Sequence, residues 1–516
     1  MALNTDSVAA TIGGISSSRL GETDKRVLHF AASIGMEFDW SVLITAMEME
    51  EEPLAESLER LVHHGILKEL NWGDTYAFVQ VVTLAEAYRE ISSSRQRVIH
   101  KKIAEAYEKL YPDPAPDIIP EMGRQFYLGR VHDKSLLYNR YAAMLAISAF
   151  SPDVAIRHLE RAREDLSALP GDHRLEEADV LKEIGELYDA IGDDAKADDF
   201  YGESLKKLPE EEVTLRALIL LSRAEAAHEM SKLGLLHQYC EEAIGLLKRV
   251  EHKRGLAMAH FILGRGGYTE GNFEAARKET EAALQLFDPE KDAREVARCY
   301  TNLGNVWASI NDPAEQARAL DSYRKAIKIL ESLHDYRQLA KAHNNLAISL
   351  EDTRPEEALK EIKAARVCVE KCKDERFLGW TLFNSVEIHL ILGNETEAAK
   401  CNAAAHKILS KFNDLIGLQQ VMLNEGMLAQ QRKAYEESEK AYMDSLKRAE
   451  FLDYPIDVVE VLLHMGIMYA DWGKKDEALK TVARIVEIGE DKFSPTKRPL
   501  FENLRKRLGI KGTGPT

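Results

Sequence analysis

A small residue recurs about every 40 positions along most of this chain, and this period constrains the fold more than any other feature. The positions are Ala143, Gly185, Ser222, Gly264, Gly304, Ala347, Val386, Gly426 and Gly466. Self-similarity with this period is typical of a solenoid, in which each unit buries its apolar face only by stacking on its neighbours. Such a fold more often presents a surface that holds a partner than a pocket for chemistry.

Each unit has the pattern of two helices joined by a short turn. In the unit around Gly264, the first helix extends to Tyr268, Gly271-Asn272 provides the turn, and Ala276 follows at helical spacing. A residue with little or no side chain lets the two helices approach closely. Glycine or asparagine supplies the positive φ that the end of a helix needs. The sequence therefore predicts a stack of helical hairpins.

This pattern resembles the tetratricopeptide repeat (TPR), with its Leu-Gly, Tyr, Gly-x-Tyr/Phe and paired alanine positions. The resemblance covers roughly residues 126–490. A period near 40 is similar to the long-helix subfamily, which includes kinesin light chain, the Pins-type spindle adaptors, peptide-sensing bacterial regulators and the maltose-operon activator. The resemblance implies an all-α fold, a right-handed TPR superhelix of about nine helical hairpins.

The first hundred residues do not follow the repeat. Helices are predicted over Asp24–Ser33, Phe38–Met47 and Pro53–His63, the last one ending in a His63-His64 cap. Alternation over Ile66–Leu70 and Tyr76–Val79 predicts a β-hairpin. Three helices followed by a hairpin predict a small winged-helix domain over residues 21–80.

Residues 81–125 are predicted to connect this domain to the repeats. A helical run from Val81 to Tyr111 precedes the proline-rich linker Pro112–Pro116. The phrases AASIGMEFDWSVL and LERLVHHGILKE resemble the segment that follows the nucleotide-binding core in signal-transduction NTPases of the AAA+/STAND kind. That family usually has a histidine where Gln80 stands here, so no contact of that histidine is carried over.

The nucleotide-binding motif itself does not occur in the sequence. The best approximation to Gly-x-x-x-x-Gly-Lys-Ser/Thr is Gly13-Gly14-Ile15-Ser16, which has no lysine beside it. Without a phosphate-binding loop and its lysine, we expect no ATP hydrolysis, no cofactor and no enzymatic activity. A separate AAA+ ATPase is a candidate partner, because the chain resembles the sensor half of such a switch.

The predicted winged helix is strongly acidic. Between residues 21 and 80, twelve Asp and Glu face four Lys and Arg, and the third helix opens with Glu50-Glu51-Glu52. DNA affinity comes largely from neutralising phosphates. We therefore expect no DNA binding and interpret this domain as a protein-contact module.

The C-terminal stretch, residues 491–516, is basic. Seven Lys and Arg face Glu502 alone from Lys492 onward. This stretch is interpreted as a solvated cap helix over Leu500–Leu508 with a frayed tail, and nucleic-acid contact is the alternative.

Targeting signals and cysteine usage indicate a cytoplasmic protein. No apolar run is long enough to predict a membrane span, and residues 1–20 are predicted to form a disordered tail rather than a signal peptide. The cysteines contain no Cys-x-x-Cys pair and are Cys240, Cys299, Cys368, Cys372 and Cys401. Cys368 and Cys372 share a helix face, which leaves a metal pair open, but buried thiols are the favoured interpretation.

The sharpest functional signal is a ladder of asparagines, each two positions before the small residue of its unit. The members are Asn302, Asn345, Asn384 and Asn424, which are 39 to 43 residues apart. Stacked hairpins should align them on the inner helices, where each amide offers one acceptor and two donors to an extended peptide. The resemblance to peptide-binding TPR proteins implies the same role. The alternative is that these side chains bridge adjacent hairpins without any ligand.

Further candidates lie on the same helix face near the ladder. They are Arg298, Asn305, Lys341, Asn344, Trp380 and Glu387. This mixture would hold a peptide backbone, attract an acidic side chain at Arg298 and Lys341, and stack on Trp380. The net charge of −18 argues against nucleic acid as the ligand and permits partners with basic patches.

Two functions remain open from the sequence. The first is a non-catalytic scaffold or adaptor that binds an extended peptide or protein segment in the groove of its TPR array. The second is a regulatory subunit or transcriptional regulator of the STAND type that acts with a separate ATPase or with DNA. A neighbouring gene for an AAA+ core, or salt-sensitive DNA binding, would favour the second.

Overall fold

A computed structural model describes residues 20–310, 312–452, 454–489 and 497–510. Residues 1–19 of the predicted N-terminal tail lie outside the described residues, as do residues 491–496 and 511–516 of the predicted C-terminal region. The chain forms two compact units, Met1–Lys232 and Leu233–Thr516, called unit 1 and unit 2.

Unit 1 begins with three helices and a three-stranded antiparallel sheet. The helices are α1 (Glu22–Ile34), α2 (Trp40–Met47) and α3 (Glu51–His63), and the strands are β1 (Glu37–Asp39), β2 (Leu67–Leu70) and β3 (Thr75–Phe78). The strand order is β1-β3-β2, with Phe38 opposite Tyr76 and Lys68 opposite Ala77. The predicted helices and hairpin are present, and their assignment as a winged helix stays a prediction.

The predicted helix over Phe38–Met47 is wrong at its start, because Phe38 belongs to β1 and α2 begins at Trp40. Phe38 is buried between two exposed neighbours, which is the alternation of a strand. Its ring stacks on Tyr76 with the centroids 6.0 Å apart. A three-residue strand is too short for its alternation to be recognised in the sequence.

The predicted helical run Val81–Tyr111 is divided into α4 (Val81–Arg89) and α5 (Ser93–Leu110). Ser92, between them, has extended backbone angles of φ −61° and ψ 148°. Serine is a frequent residue just before a helix. Ser92 makes no side-chain capping hydrogen bond to α5, so the break is seen in its backbone conformation alone.

The hydrophobic core of this N-terminal region includes α5. Ile99 and Ile103 are buried in one cluster with Leu58 of α3 and Phe78 of β3. The predicted domain boundary at residue 80 stays a prediction, but the core itself extends beyond that position.

The remainder of unit 1 is helical. Its helices are α6 (Ile119–Leu128), α7 (His132–Ser148), α8 (Pro152–Ala168), α9 (Arg174–Ala190), α10 (Asp194–Lys207) and α11 (Val213–Glu229). α7 packs on α8 and α9 packs on α10 as hairpins. α8 also contacts α9, and α10 contacts α11, so consecutive elements stack as the repeat predicts.

Unit 2 consists of α12 (Leu233–Arg249), α13 (Lys253–Thr269), α14 (Phe273–Leu286), α15 (Ala293–Ala308), α16 (Pro313–Leu333), α17 (Tyr336–Leu350), α18 (Pro355–Cys372), α19 (Glu375–Ile391), α20 (Glu395–Lys411), α21 (Leu415–Gln431), α22 (Tyr435–Phe451), α23 (Pro455–Asp471), α24 (Lys475–Ile488) and α25 (Arg498–Leu508). From α13 to α24, each odd-numbered helix forms a hairpin with the helix after it. The predicted architecture of stacked hairpins is therefore confirmed.

The recurring small residues lie on α7, α9 and α11 in unit 1 and on α13, α15, α17, α19, α21 and α23 in unit 2. Most of them are buried, and Ser222 is half-buried. A Cβ atom at Gly185 would lie 2.7 Å from the ring of Tyr201, and one at Gly304 would overlap the ring of Tyr323. The small residue thus makes room for a ring of the partner helix, which is the close approach that the pattern indicates.

α25 packs against the last hairpin of unit 2. Phe501, Leu504 and Leu508 are buried in one cluster with residues of α23. Lys497 and Arg505 are only 4 % and 7 % exposed. The interpretation of a solvated basic helix is therefore wrong for these two side chains.

Candidate interaction surface

The odd-numbered helices of unit 2 form a continuous surface. α15 contacts α17, α17 contacts α19, α19 contacts α21, and α21 contacts α23. We call the surface formed by α15, α17, α19, α21 and α23 the first-helix surface. All ten residues that the sequence singles out lie on α15, α17, α19 and α21, so stacking brings them onto neighbouring helices.

Four asparagines form a chain of side-chain hydrogen bonds across three hairpins, called the amide chain. Asn345 Nδ2 donates to Asn305 Oδ1 over 2.9 Å, and Asn305 Oδ1 also accepts from the Tyr323 hydroxyl over 2.8 Å. Asn344 Nδ2 donates to Asn345 Oδ1 over 3.3 Å. Asn384 Nδ2 donates to Asn344 Oδ1 over 3.0 Å. These bonds connect α15 to α17 and α17 to α19.

The first and last members of the predicted ladder are buried. Asn302 is 6 % exposed and donates to Thr280 Oγ1 over 2.8 Å. Asn424 is 7 % exposed and donates to the Phe383 carbonyl over 3.0 Å. Each bond joins neighbouring hairpins, so the structure gives these two amides a bridging contact. Their role in peptide binding stays a prediction.

The predicted neighbours of the ladder have contacts of their own. The Arg298 guanidinium lies 4.6 Å from the centroid of the Phe261 ring. Lys341 is exposed. Trp380 Nε1 donates to Asp414 Oδ2 over 2.9 Å. Glu387 is half-buried, and its Oε1 lies 2.5 Å from Lys497 Nζ.

Unit 2 also contains a periodic set of ion pairs that the small-residue pattern does not predict. They are Arg254–Asp292 at 2.8 Å, Arg294–Asp335 at 2.7 Å, Arg337–Asp374 at 3.3 Å and Arg376–Asp414 at 2.7 Å. In each pair, an arginine near the start of one odd-numbered helix binds the aspartate just before the next. We call this set the Asp–Arg ladder. Its sequence signal is the phrase Asp-x-Arg, which recurs at Asp292, Asp335 and Asp374.

Asp414 shows how this ladder joins hairpins. Its Oδ1 accepts from the Gly417 backbone N–H over 2.9 Å, which caps α21. Its Oδ2 accepts from Trp380 and Arg376 of α19. Burial opposes ionisation of this carboxyl, but the hydrogen bonds from Gly417, Trp380 and Arg376 outweigh burial and lower the pKa of Asp414. The ionised side chain therefore ties the start of α21 to α19.

Unit 1 contains a serine, a histidine and an aspartate in one hydrogen-bonded group between α7 and α8. His132 Nδ1 lies 2.7 Å from Asp165 Oδ1, and the Ser135 hydroxyl donates to Asp165 Oδ2. A nucleophilic serine needs a histidine that accepts its proton. Ser135 instead donates to the carboxylate and is 0 % exposed. The group therefore joins the two helices and does not form a nucleophile.

The cysteines are not arranged as a metal site in the described part of the chain, where no group of three or more His, Cys, Asp or Glu could hold an ion. Cys368 is buried, Cys372 is half-buried, and Cys372 Sγ donates to the Val369 carbonyl over 3.4 Å. Burial raises the pKa of the Cys299 thiol to about 12. The prediction of buried thiols is confirmed for all but Cys372.

Within the described residues, we find no helix that combines the length and the apolar character needed to cross a membrane.

Comparison with known proteins identifies one part of the chain. A search of curated protein sequences gave no match. The apo form of RapI is similar in structure at 17 % identity and a TM-score of 0.46, over 53 % of this chain and 98 % of that one. Aspartyl phosphate phosphatase F from Bacillus subtilis is similar at 14 % identity and a TM-score of 0.47, over 69 % of this chain and 94 % of that one.

A third similar structure is the Signal Transduction ATPase with Numerous Domains (STAND) protein with a tetratricopeptide repeat sensor from Pyrococcus horikoshii. Its identity is 14 % and its TM-score is 0.40, over 95 % of this chain and 65 % of that one. In sequence, residues 133–210 match the tetratricopeptide repeat family. This match covers α7 to α10, and these two hairpins are therefore tetratricopeptide repeats.

Proposed function

We propose that this protein is a non-catalytic scaffold that binds an extended peptide or protein segment on the first-helix surface. The observation that supports this most directly is the position of Asn345 and Asn384. Both side chains are half-buried, unlike those of Asn302, Asn344 and Asn424, which are buried. A partner can therefore reach the two central amides of the predicted ladder.

The amide chain has hydrogen-bond donors and acceptors that its internal bonds do not use. Among the described residues, Asn384 Oδ1 has no hydrogen-bond partner, while Nδ2 donates one bond, to Asn344. A side-chain amide has two N–H donors and an oxygen that accepts twice. Asn384 can therefore accept from a peptide N–H and donate to a peptide carbonyl without breaking its bond to Asn344.

The charges near the amide chain give a bound segment a direction. Arg298 and Lys341 lie on α15 and α17, whereas Glu387 lies on α19. Electrostatic complementarity fixes orientation and register more than it adds affinity. A segment with an acidic side chain toward α15 and a basic one toward α19 would match this order.

The test compares wild type with the double variant Asn345→Ala and Asn384→Ala. Peptides would first be selected on wild-type protein from a random library, and their Kd values would then be measured by fluorescence anisotropy. Each lost hydrogen bond contributes about 0.5–1.5 kcal/mol net, so the two losses weaken binding roughly 5- to 150-fold if they add. Unchanged affinity for all selected peptides would place the binding surface elsewhere.

Two controls separate binding from folding. Asn302→Ala removes a buried amide that contacts Thr280, so it should lower the melting temperature, and a loss of peptide affinity as well would give Asn302 the binding role that the sequence predicts. Glu50→Lys, before α3 in unit 1, should change neither. Circular dichroism of each variant reports whether the helices remain intact.

The N-terminal elements α1 to α3 and β1 to β3 are proposed to form a winged helix that contacts protein rather than DNA. Trp72, in the turn between β2 and β3, is fully exposed. The start of α3 presents exposed Glu51 and Glu52, which would repel phosphates. A separate AAA+ ATPase is one candidate partner. Salt-sensitive binding to duplex DNA would contradict this proposal, and Trp72→Ala should weaken capture of an ATPase partner.

A further inference from the structure

A lysine from the C-terminal end of unit 2 is buried against carboxylates of the first-helix surface. Lys497 precedes α25 and is 4 % exposed. Its Nζ lies 2.5 Å from Glu387 Oε1 and 3.9 Å from Glu351 Oε1. Glu351 directly follows α17, and Glu387 belongs to α19. The two carboxylates come from neighbouring hairpins and converge on one ammonium group.

The charge of Lys497 makes burial of these carboxylates possible. Burial raises the pKa of Glu351 and raises the pKa of Glu460, on α23, to about 7. Burial also opposes ionisation of Glu387, but attraction to Lys497 outweighs it and lowers the pKa of Glu387. Without a cation, these carboxylates would have to take up protons. The cluster therefore contains either a cation or protonated carboxylates.

A histidine in the same cluster has an unused nitrogen. His464 on α23 is 7 % exposed, and its Nε2 has no hydrogen-bond partner among the described residues. Burial, and then the charge of Lys497, lower the pKa of His464 to about 4, so the ring is neutral. A neutral ring can accept a hydrogen bond from an ammonium group. Because it is neutral, His464 adds no positive charge that would oppose an ammonium group near Glu387.

We infer that Glu351 and Glu387 form a lysine-binding site on the first-helix surface, and that Lys497 is its intramolecular occupant. A lysine-bearing segment of a partner would displace Lys497 from this site. This inference rests on the proposed function, because the incoming segment is the one that the amide chain would bind. It specifies the partner as a segment with a lysine toward its α19 end.

Exchange is feasible because one ammonium replaces another. Removing the cation altogether would leave the buried Glu351 and the half-buried Glu387 without a positive partner, which is costly. In an exchange, both carboxylates keep a partner and Lys497 becomes hydrated. Lysine fits better than arginine, since its charge is compact and its three donors can diverge toward separate carboxylates.

The first experiment measures binding of an added lysine to an emptied site in the full-length chain. The probe is a fluorescein-labelled peptide with the sequence of residues 493–501, and the control probe has methionine in place of its lysine. Lys497→Met protein should bind the lysine probe at least about tenfold more tightly than wild type, a difference of about 1.4 kcal/mol. Lys497→Arg, which keeps a cation in the site, should show less gain. Equal affinity of both probes for Lys497→Met would overturn the inference.

The second experiment uses wild-type protein and does not depend on how well Lys497→Met folds. Brief acetylation followed by mass spectrometry measures the reactivity of Lys497 relative to Lys506, an exposed lysine of α25. Lys497 should be protected, and an excess of the lysine probe should increase its labelling while that of Lys506 is unchanged. Labelling of Lys497 as fast as Lys506 without the probe, or no response to the probe, would contradict displacement.

The outcomes distinguish this inference from the proposed function. Library peptides that lack lysine, bind wild type and lose affinity in the Asn345→Ala, Asn384→Ala variant would support the amide surface and overturn the lysine site. Lysine-dependent binding that is insensitive to the asparagine changes would support the lysine site and overturn the role of the amide chain.

Discussion

The Asp–Arg ladder and the lysine site are both built from carboxylates and cations of unit 2, but they differ in burial of the cation. The side chains of three ladder arginines, Arg254, Arg337 and Arg376, are 61 %, 58 % and 57 % exposed. Lys497 is 5 % exposed at its side chain. When a ladder pair breaks, water can solvate the guanidinium group. When the Lys497 pair breaks, the ammonium group stays out of water, as does the carboxylate of Glu351, which is 9 % exposed.

This difference separates two uses of the same chemistry. A ladder pair contributes little by itself, because water competes for the charge of its exposed arginine. Three of the ladder aspartates, Asp335, Asp374 and Asp414, also cap the helix that follows them, whereas Asp292 makes no capping hydrogen bond. A buried pair is costly to leave incomplete, so the lysine site must always contain a cation or protonated carboxylates. The ladder is thus a permanent contact between neighbouring hairpins, whereas the lysine site is suited to the exchange of one ammonium group for another.

The largest effect is expected from Lys497→Met. Loss of one partner from a buried pair costs about 3–5 kcal/mol, and urea unfolding at about pH 8 should show a decrease of this size. The acids whose ionisation Lys497 influences are Glu351, Asp352, Glu387 and Glu460, and the base is His464. A decrease below about 1 kcal/mol would mean that the site is solvated like the ladder.

The same variant should show a defined pH dependence. Without Lys497, the folded-state pKa values of Glu351 and Glu460 rise further above their unfolded values, and that of Glu387 is no longer lowered by the ammonium group. The stability of the variant is therefore present at low pH and lost as pH rises through the raised folded-state pKa values. The pKa of Glu460 is already raised to about 7 in wild type. The loss of unfolding free energy caused by Lys497→Met should therefore be smaller at about pH 5 than at about pH 8. His464, with its pKa lowered to about 4, has the opposite slope in both proteins, so the difference between them is the quantity to compare.

Gly304→Leu tests whether the stability of unit 2 depends on the close spacing of the two helices in a hairpin. The new side chain would overlap the buried ring of Tyr323, and we expect a loss of about 1–3 kcal/mol by thermal or urea unfolding. Gly271→Ala offers a contrast, because that turn has open space and a φ of +75°. Its cost would come from backbone strain alone. An unchanged melting temperature for Gly304→Leu would contradict the conclusion that the small residue makes room for the ring of Tyr323.

Asp374→Ala separates capping from charge in the ladder. Asp374 Oδ1 accepts from the Phe377 backbone N–H over 3.0 Å, and Oδ2 lies 3.3 Å from Arg337 Nε. Loss of the cap should cost about 0.5–2 kcal/mol. Asp374→Asn keeps an oxygen for the cap and removes the charge, so it should retain most of the stability. Equal losses in the two variants would show that the ion pair dominates.

The smallest effect is expected from Arg337→Ala, at about 0–1 kcal/mol. Arg376→Ala should cost more, because its partner Asp414 is 1 % exposed while Asp374 is 20 % exposed. High salt should reduce the effect of Arg337→Ala. If Arg337→Ala were as destabilising as Lys497→Met, exposure would not be the factor that distinguishes the two sets.

Much of the fold could be predicted because its signals are local. Gly304 and Gly466 recur in one helical frame, and each small residue lies on the first helix of its hairpin. One prediction failed where a neighbour decided the outcome, because Phe38 forms a strand by pairing with β3. Another failed at Ser92, where an extended backbone breaks the helical run that begins at Val81.

The candidate site could be predicted only in part. The spacing of Asn345 and Asn384 correctly placed them on adjacent first helices. Their hydrogen-bond partners, Asn305 and Asn344, depend on which rotamers meet across the interface between hairpins. The Asp-x-Arg phrase was visible in the sequence, but its meaning required knowing that one hairpin begins beside the start of the next.

By itself, the sequence determined the repeat period, the hairpins and the helices on which the candidate side chains lie, because period and helix packing depend on short-range spacing. Only the tertiary structure decided that Asn302 and Asn424 are buried, and that Lys497 meets Glu387 at a separation of 110 residues. Burial and long-range ion pairing follow from how the hairpins stack and where α25 packs. No local pattern contains that information.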